Sequence, residues 1–279
     1  MTSTGTLTAD VFAHDFLIPG RPVLARGALA GWAWPPPWEL PALTRRFGHY
    51  RVPLYDTLFS LQGLSTFGDY VARYTGGAVA GVPPYLRWFA RQSPDRLPWA
   101  DPAFAQLERD WAMPEWLPTS GYLFPLTRGR VDAAHSPFPA KGLFVCGRGG
   151  RTRLHADPWQ SDACLCQATG DKRVIMFPPE AGEFLTAGEA VVDLDDPDDG
   201  AFPCWRDAKP GFDEVLRPGD AVFIPAGWYH TAIALADSVS ITWNFVHKVH
   251  ATRFQHYRES AGAGNPAIAF FCASLADRA

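Results

Sequence analysis

Three side chains from two distant stretches of the chain have the types and spacing needed to bind one transition-metal ion. His155 and Asp157 are separated by a single residue, so their side chains point to the same side of an extended strand. His230 lies 75 residues after His155. Two imidazoles and one carboxylate form the ligand set of non-haem Fe(II) oxygenases, which leaves metal positions open for a cosubstrate and oxygen. We therefore predict that these three residues are metal ligands and catalytic residues.

A lysine and a threonine could bind the cosubstrate that such a metal requires. A 2-oxoacid can chelate the metal and supply electrons, and its distal carboxylate then needs a cation and a hydroxyl donor inside the fold. Lys172 follows a turn and opens a predicted strand, while Thr242 and Asn244 share one face of the last strand. Lys172 and Thr242 therefore fit the carboxylate site. A solvated strand end is the alternative interpretation of Lys172.

The elements that must position these residues are short strands separated by turns. Apolar runs bounded by Gly and Pro follow one another between residues 142 and 245, a pattern typical of a jelly roll or barrel. We expect residues 152–157 to form a strand and the turn at 170–171 to close a hairpin. We also expect strands 233–237 and 239–245 to pair with each other.

The residue patterns at the two ends of the chain differ from the short strands and turns of its middle part. This difference suggests one domain over residues 1–279 with three parts. Residues 1–140 predict an α/β lead-in, 141–248 the β core, and 249–279 C-terminal helices. The last predicted helix has an apolar stripe at helical spacing, formed by Ile268, Phe271, Cys272 and Leu275. That stripe either packs on the barrel or forms a homodimer face.

Composition argues against several classes of protein. A net charge of −4 argues against a nucleic-acid surface. No apolar run approaches the roughly 18 residues of a membrane span, and the N-terminus lacks the pattern of a signal peptide. The five Cys are expected to be free thiols of a cytoplasmic protein. The Cys164-x-Cys166 pair has no second pair to complete a zinc site, so these two are expected to be core strand residues. Only four of the 25 basic residues are Lys, a bias typical of bacteria with GC-rich genomes.

Two charged stretches allow more than one interpretation. The acidic run at 193–200 resembles a calcium loop but lacks the EF-hand spacing, which favours a solvated loop. Arg148, Arg151 and Arg153 lie just before His155 and could either contact an acidic substrate or remain solvated turn residues.

Four stretches taken together resemble the Jumonji C family, and most closely its small cupin-like hydroxylases. They are Thr-Arg-Leu-His-Ala-Asp-Pro at 152–158, Gly-Asp-Lys-Arg-Val-Ile-Met-Phe-Pro-Pro at 170–179, the run from Pro-Gly-Asp to Trp-Tyr-His at 218–230, and Thr-Trp-Asn-Phe at 242–245. The resemblance covers most of residues 9–250. It implies a mainly β fold, the double-stranded β-helix, with Fe(II) held by His155, Asp157 and His230, and with O2 as a reactant.

The same resemblance implies a site for 2-oxoglutarate as cosubstrate. Lys172 and Thr242 would hold its distal carboxylate, with Thr152 and Asn244 close by. Leu165 stands where the related lysyl-hydroxylase pattern has a cosubstrate-binding Asn. Related enzymes also use an upstream Tyr, for which Tyr122 is the candidate.

The family resemblance implies an enzyme, a dioxygenase that hydroxylates a C–H bond of an amino-acid side chain in a peptide or protein. A small natural-product metabolite is the alternative substrate. A metal-binding cupin without oxygenase activity is the alternative function, and the pairing of Lys172 with Thr242 argues against it. No nucleic-acid or membrane partner is expected.

Overall fold

The computed structural model describes residues 2–3, 7–32, 38–77, 79–89, 106–107, 110–124 and 141–260. The strands in these ranges are β1 Thr2–Ser3, β2 Val23–Ala25, β3 Arg51–Tyr55, β4 Leu61–Thr66, β5 Tyr85–Phe89, β6 Tyr122–Phe124, β7 Lys141–Cys146, β8 Asp162–Thr169, β9 Lys172–Phe177, β10 Thr186–Ala187, β11 Ala190–Val191, β12 Phe212–Leu216, β13 Ala221–Ile224, β14 Tyr229–Ala234 and β15 Ser238–His247. The α-helices are α1 Ala9–Phe12, α2 Leu40–Phe47, α3 Phe67–Tyr74, α4 Gly182–Leu185 and α5 Ala251–Glu259.

Two sheets form the β core. The larger one has the strand order β1-β2-β13-β8-β15-β7-β5-β3-β4, with β6 also paired to β15, and the smaller one has the order β12-β9-β14. Buried apolar side chains from the two sheets meet in one cluster, for example Leu165 and Ile224 of the larger sheet with Met176 and Ala232 of the smaller. The fold is therefore mainly β, with the jelly-roll arrangement of a double-stranded β-helix, as predicted.

The outer face of the larger sheet is covered by the N-terminal elements. Phe12 packs against Phe223, and Trp243 and Phe245 stack on each other in the same cluster. Because side chains alternate along β15, the neighbouring Thr242 and Asn244 point to the inner face, where they line a cavity. This parity confirms that Thr242 and Asn244 share a face.

Two predicted hairpins are wrong, because consecutive strands of this fold cross between the sheets. β14 pairs with β9 in the smaller sheet, whereas β15 pairs with β7 and β8 in the larger one. β8 and β9 likewise belong to different sheets. At the turn between them, Gly170 has φ +71°, and a Cβ there would lie 2.1 Å from the carbonyl oxygen of Asp237. The turn Gly thus serves a tight crossing rather than a hairpin.

The segment that carries His155 and Asp157 is extended but is not a regular strand. It makes two isolated bridges, Arg151 to Ile233 and His155 to His230. Between them the pairing is irregular: the Thr152 amide donates to the Ala232 carbonyl at 3.0 Å, but the Ala232 amide donates to the Thr152 hydroxyl at 3.1 Å instead of to a backbone carbonyl. The extended course is enough to keep the two predicted ligands on one side.

The predicted C-terminal apolar stripe lies outside the described residues. The helix that is described there, α5, begins at Ala251 and buries Phe254. The homodimer face therefore stays a prediction.

Within the described ranges, the structure contains no helix that is both long enough and apolar enough to cross a bilayer.

Candidate metal centre and cosubstrate cavity

The three predicted metal ligands converge at one end of the gap between the sheets. Their ligand atoms all lie within 4.8 Å of one another. His155 Nε2 is 3.9 Å from Asp157 Oδ1, and the ring centroids of His155 and His230 are 4.3 Å apart. The two histidines exchange backbone hydrogen bonds of 3.1 and 2.7 Å, which fixes their register. One ion can therefore contact all three side chains.

Hydrogen bonding sets which nitrogen of each imidazole is free. His155 Nδ1 lies 2.8 Å from the carbonyl oxygen of Arg153, and His230 Nδ1 lies 3.1 Å from that of Trp228. A carbonyl only accepts, so each Nδ1 carries the proton and each Nε2 keeps a lone pair for a metal. Burial, reinforced by the nearby His230, lowers the pKa of His155 well below its ordinary value, which keeps this ring in the ligating neutral form.

Asn244 orients the carboxylate of the site. Its Nδ2 donates to Asp157 Oδ2 at 3.1 Å, which leaves the other carboxylate oxygen turned towards His155. The chain then turns sharply, with Trp159 and Gln160 at φ 62° and 54°. Such left-handed conformations in residues other than Gly cluster at functional sites. Asn244 thus fixes the carboxylate of a candidate ligand, a contact that its position on β15 alone did not indicate.

A cavity of about 530 Å³ opens beside the ligands. Among the residues that line it are all four cosubstrate residues predicted from the sequence and Leu165: Thr152, Lys172, Thr242, Asn244 and Leu165. Its volume falls within the range of small-molecule sites.

Lys172 is buried in the wall of this cavity. It is 1% exposed, and its Nζ donates a hydrogen bond to Ser240 Oγ, which in turn donates to Gln167 Oε1 at 3.1 Å. Within the described residues no carboxylate forms an ion pair with Lys172, and burial lowers the pKa of its ammonium group. A buried cation without a counter-charge is costly unless a ligand supplies one. The alternative of a solvated strand end is therefore wrong.

The hydroxyl groups of Thr242 and Thr152 differ in the hydrogen bonds that they make. Thr242 Oγ1 is buried without a hydrogen-bond partner, a state that is uncommon and unfavourable in folded proteins. Thr152 Oγ1 already accepts the Ala232 amide hydrogen and retains its own proton for donation. An acceptor held between Thr242 and Lys172 would satisfy both of those groups.

The tyrosine in the cavity is Tyr85, not Tyr122. Tyr122 lies on the outer side of β15, where its ring is 5.0 Å from that of Trp243 and its hydroxyl donates to the carbonyl of Pro118 at 2.5 Å. Tyr85 lines the cavity, and Lys172 Nζ is 5.7 Å from its ring centroid. The proposal of Tyr122 is wrong because β6 pairs with the end of β15 and places the Tyr122 ring against Trp243 and Phe245, in the cluster on the outer face of the larger sheet.

Arginine side chains before His155 are ion-paired within the chain. Arg151 Nε lies 2.8 Å from Asp195 Oδ2, and Arg153 Nε lies 3.0 Å from Asp193 Oδ2. The acidic loop is therefore pinned beside the metal ligands rather than free in solvent. Arg151 and Arg153 are therefore not plain solvated turn residues, and contact of an acidic substrate with Arg148, Arg151 or Arg153 stays a prediction.

The fold is a jelly roll of the cupin-like type, with a His-Asp-His cluster that could hold a metal ion. A family model described as "Cupin-like domain" matches residues 74–251. The chain therefore belongs to this family, which agrees with the Jumonji C-type resemblance of its motifs.

Three curated proteins show the range of its relatives. Arginine-specific demethylase JMJ22 of Arabidopsis thaliana is 24% identical over 264 residues, covering 88% of this chain and 46% of that protein. The 2-oxoglutarate and iron-dependent oxygenase JMJD4 of Gallus gallus is 23% identical over 273 residues, covering 86% and 58%. Human (Homo sapiens) tRNA wybutosine-synthesizing protein 5 is 32% identical over 164 residues, covering 56% and 50%. The chain spans about half the length of these relatives.

Proposed function

We propose that this protein is an Fe(II)- and 2-oxoglutarate-dependent oxygenase that hydroxylates a C–H bond of an amino-acid side chain in a peptide or protein. One observation carries the proposal: the His-Asp-His cluster shares its cavity with a buried lysine and a buried threonine hydroxyl, and among the described residues the lysine has no counter-charge and the hydroxyl no hydrogen-bond partner. A metal site alone is common to many cupins. The added cation and hydroxyl are what a dicarboxylate cosubstrate requires.

The donor set fits the metal and the cosubstrate. His155, Asp157 and His230 would hold Fe(II) through two imidazole nitrogens and one carboxylate oxygen. Lys172 and Thr242 would bind the distal carboxylate of 2-oxoglutarate. With O2, the loaded site supplies an oxidant that converts a C–H bond to C–OH while 2-oxoglutarate becomes succinate and CO2.

The chain's own contribution is to orient the reactants and exclude water. Asn244 holds the Asp157 carboxylate in place, and Tyr85 lies against the Lys172 side chain. The cavity walls are mainly apolar, with Leu58, Phe59, Phe144, Leu165 and Ile224 among their residues. A dry wall strengthens the ion pair with the cosubstrate and protects the reaction from side reactions with water.

The names of the relatives do not agree on one substrate. The proposed substrate class is therefore based on the features of this chain. One name refers to arginine demethylation and another to tRNA wybutosine synthesis. A small metabolite is the second candidate, favoured by a cavity of about 530 Å³, which suits a small molecule.

Succinate formation is the test of the proposed activity. Metal-free protein is loaded anaerobically with Fe(II) and 2-oxoglutarate, exposed to O2, and assayed for succinate. We expect slow succinate formation in the absence of substrate. Asp157→Ala should lower its rate at least about 100-fold, whereas the matched surface variant Asp213→Ala should retain it. Absence of succinate, together with an unchanged metal-centred absorption on adding 2-oxoglutarate, would leave the non-oxygenase cupin as the better description. Full activity in Asp157→Ala would refute the ligand assignment.

A further inference from the structure

A second buried cation lines the same cavity and has no role in the function proposed above. Arg87 lies on β5, two residues after Tyr85, so both side chains point to the cavity side of the strand. The residue is 8% exposed. Nothing in the sequence motifs singled it out.

The guanidinium of Arg87 is held by aromatic rings and not by a counter-charge. Its Cζ lies 3.3 Å from the ring centroid of Phe59 and 4.9 Å from that of Phe144. Its Nε has no hydrogen-bond partner, and no hydrogen bond or ion pair joins the group to any residue in the described ranges. Cation–π contacts occupy the faces of the guanidinium, whereas its N–H donors lie in the plane and stay available.

Burial of the guanidinium lowers the pKa of Arg87 to about 10, even though the nearby Tyr85 and Asp157 favour its charged form. The group is still a cation at neutral pH. A buried guanidinium that is charged and has its donors free is a ready site for a carboxylate, which it can bind through two parallel hydrogen bonds.

The charges of the cavity leave room for one more anion. Among the described residues, the charged side chains that line the cavity are Arg87, Lys172 and Asp157, an excess of one positive charge when the two histidines are counted as metal ligands. Fe(II) adds two positive charges and 2-oxoglutarate two negative charges, so the excess persists in the loaded site. Lys172 is committed to the cosubstrate in the proposed function, which leaves Arg87 for the missing anion.

Arg87 also lies on the side of the cavity next to the metal ligands. The Phe59 ring that stacks on its guanidinium makes an edge contact with the His155 imidazole at 4.5 Å. The Tyr85 ring has Arg87 Cζ and Lys172 Nζ each 5.7 Å from its centroid. The Phe59 ring thus contacts both the Arg87 guanidinium and the imidazole of His155, a proposed metal ligand.

We propose that Arg87 binds a carboxylate of the substrate and so selects acidic substrates for oxidation at a nearby carbon. The carboxylate belongs either to an Asp or Glu side chain of a peptide or to a free amino acid or small organic acid. This inference rests on the proposed function, because it assigns the substrate class of that site.

The test is a binding comparison between carboxylates and their carboxamides. Protein loaded with Fe(II) and 2-oxoglutarate is titrated anaerobically with blocked, amidated pentapeptides that contain Asp, Asn, Glu or Gln at the centre, and with free amino acids and their amides. Binding is followed by calorimetry and by the metal-centred absorption. We expect at least one carboxylate to bind about ten-fold or more tightly than its carboxamide, as loss of a charged hydrogen bond predicts. The pair that shows it identifies the source, peptide or free acid.

Variants of Arg87 separate substrate binding from cosubstrate binding and from folding. In Arg87→Gln the carboxylate preference should fall to about one, while the affinity for 2-oxoglutarate changes less than about two-fold. Arg87→Lys should retain part of the preference, and the surface variant Arg173→Gln should retain all of it. Loss of a buried unpaired cation should not lower the thermal unfolding midpoint.

Each opposite result overturns the inference. A panel without carboxylate preference, or a preference that survives Arg87→Gln, means that Arg87 does not bind the substrate. Weaker 2-oxoglutarate binding in Arg87→Gln would assign the residue to the cosubstrate instead. A large fall of the unfolding midpoint in both Arg87 variants would make its role structural.

The proposed function can fail separately. If wild-type protein loaded with Fe(II) does not bind 2-oxoglutarate but still prefers carboxylates through Arg87, the oxygenase proposal is wrong and the anion site stands.

Discussion

Replacing Lys172 by Met should change stability and cosubstrate affinity in opposite directions. Lys172 is 1% exposed, and within the described part of the chain its single hydrogen bond goes to the Ser240 hydroxyl. Met matches its length and shape without the charge. In the metal-free protein, the substitution therefore removes a desolvated cation and little else.

The size of each effect follows from the surroundings of the ammonium group. Replacing buried charges by apolar groups of similar volume is commonly neutral or stabilising by about 1–4 kcal/mol, and we expect Lys172→Met to lie in that range. A hydrogen bond to a charged group contributes about 1.5–3 kcal/mol, which corresponds to a loss of roughly 10- to 150-fold in affinity for 2-oxoglutarate.

Two measurements on the same preparations provide the assay. Denaturant unfolding of the metal-free protein gives the free energy of unfolding, and anaerobic titration of the Fe(II)-loaded protein with 2-oxoglutarate gives the affinity. Lys209→Met is the matched control, because its ammonium group is on the surface and contacts the Arg206 carbonyl. That variant should leave both quantities close to wild type.

A Lys172→Met variant with a free energy of unfolding lowered by more than about 2 kcal/mol and an unchanged 2-oxoglutarate affinity would contradict the assignment of Lys172 to the cosubstrate. Lys172 would then stabilise the fold through Ser240, and the cavity would need another cation for the cosubstrate.

Three further substitutions test other contacts of the site. Thr242→Val should weaken 2-oxoglutarate binding by about three- to ten-fold in the same titration without loss of stability, because the Thr242 hydroxyl has no partner to lose; unchanged affinity would contradict this. Asn244→Ala should weaken metal binding by about 10- to 100-fold in a Co(II) titration, since Asp157 loses its orienting donor; wild-type affinity would show that orientation is unimportant. Asp162 is fully buried, and burial raises its pKa from 3.8 to about 7. Between these two values the folded state binds more protons than the unfolded state, so the free energy of unfolding falls as pH rises from about 4 to 7. Metal-free Asp162→Asn should therefore be more stable than wild type by up to roughly 4 kcal/mol at pH 8, with the difference fading towards pH 4 in urea unfolding at several pH values; a pH-independent difference would contradict this.

The shared faces of the candidate site residues could be predicted because they depend on local rules. The one-residue gap between His155 and Asp157 places them on one side of an extended chain, and the same parity aligns Thr242 with Asn244. Lys172 could be placed because it is scarce and opens a strand. That His230 lies beside His155, and Lys172 in the same cavity as Thr242, depends on the pairing of distant strands and was predicted from the family resemblance.

What the sequence did not reveal depends on long-range pairing. Tyr85 and Arg87 reach the cavity because β5 pairs with β7 in the larger sheet, a contact that no local pattern indicates. The wrong hairpins have the same origin, since a turn signal shows that the chain reverses but not whether the next strand joins the same sheet. The ion pairs that fix the acidic loop also join residues about 40 positions apart, such as Arg153 and Asp193.

The most direct test of the central claim is a crystal structure of the protein grown anaerobically with Mn(II) and 2-oxoglutarate. We expect one metal ion coordinated by His155, Asp157 and His230, with the 2-oxoacid end of the cosubstrate on the metal and its distal carboxylate hydrogen-bonded to Lys172 and Thr242. A metal ion bound elsewhere, or a cosubstrate whose distal carboxylate lies away from those two side chains, would contradict it.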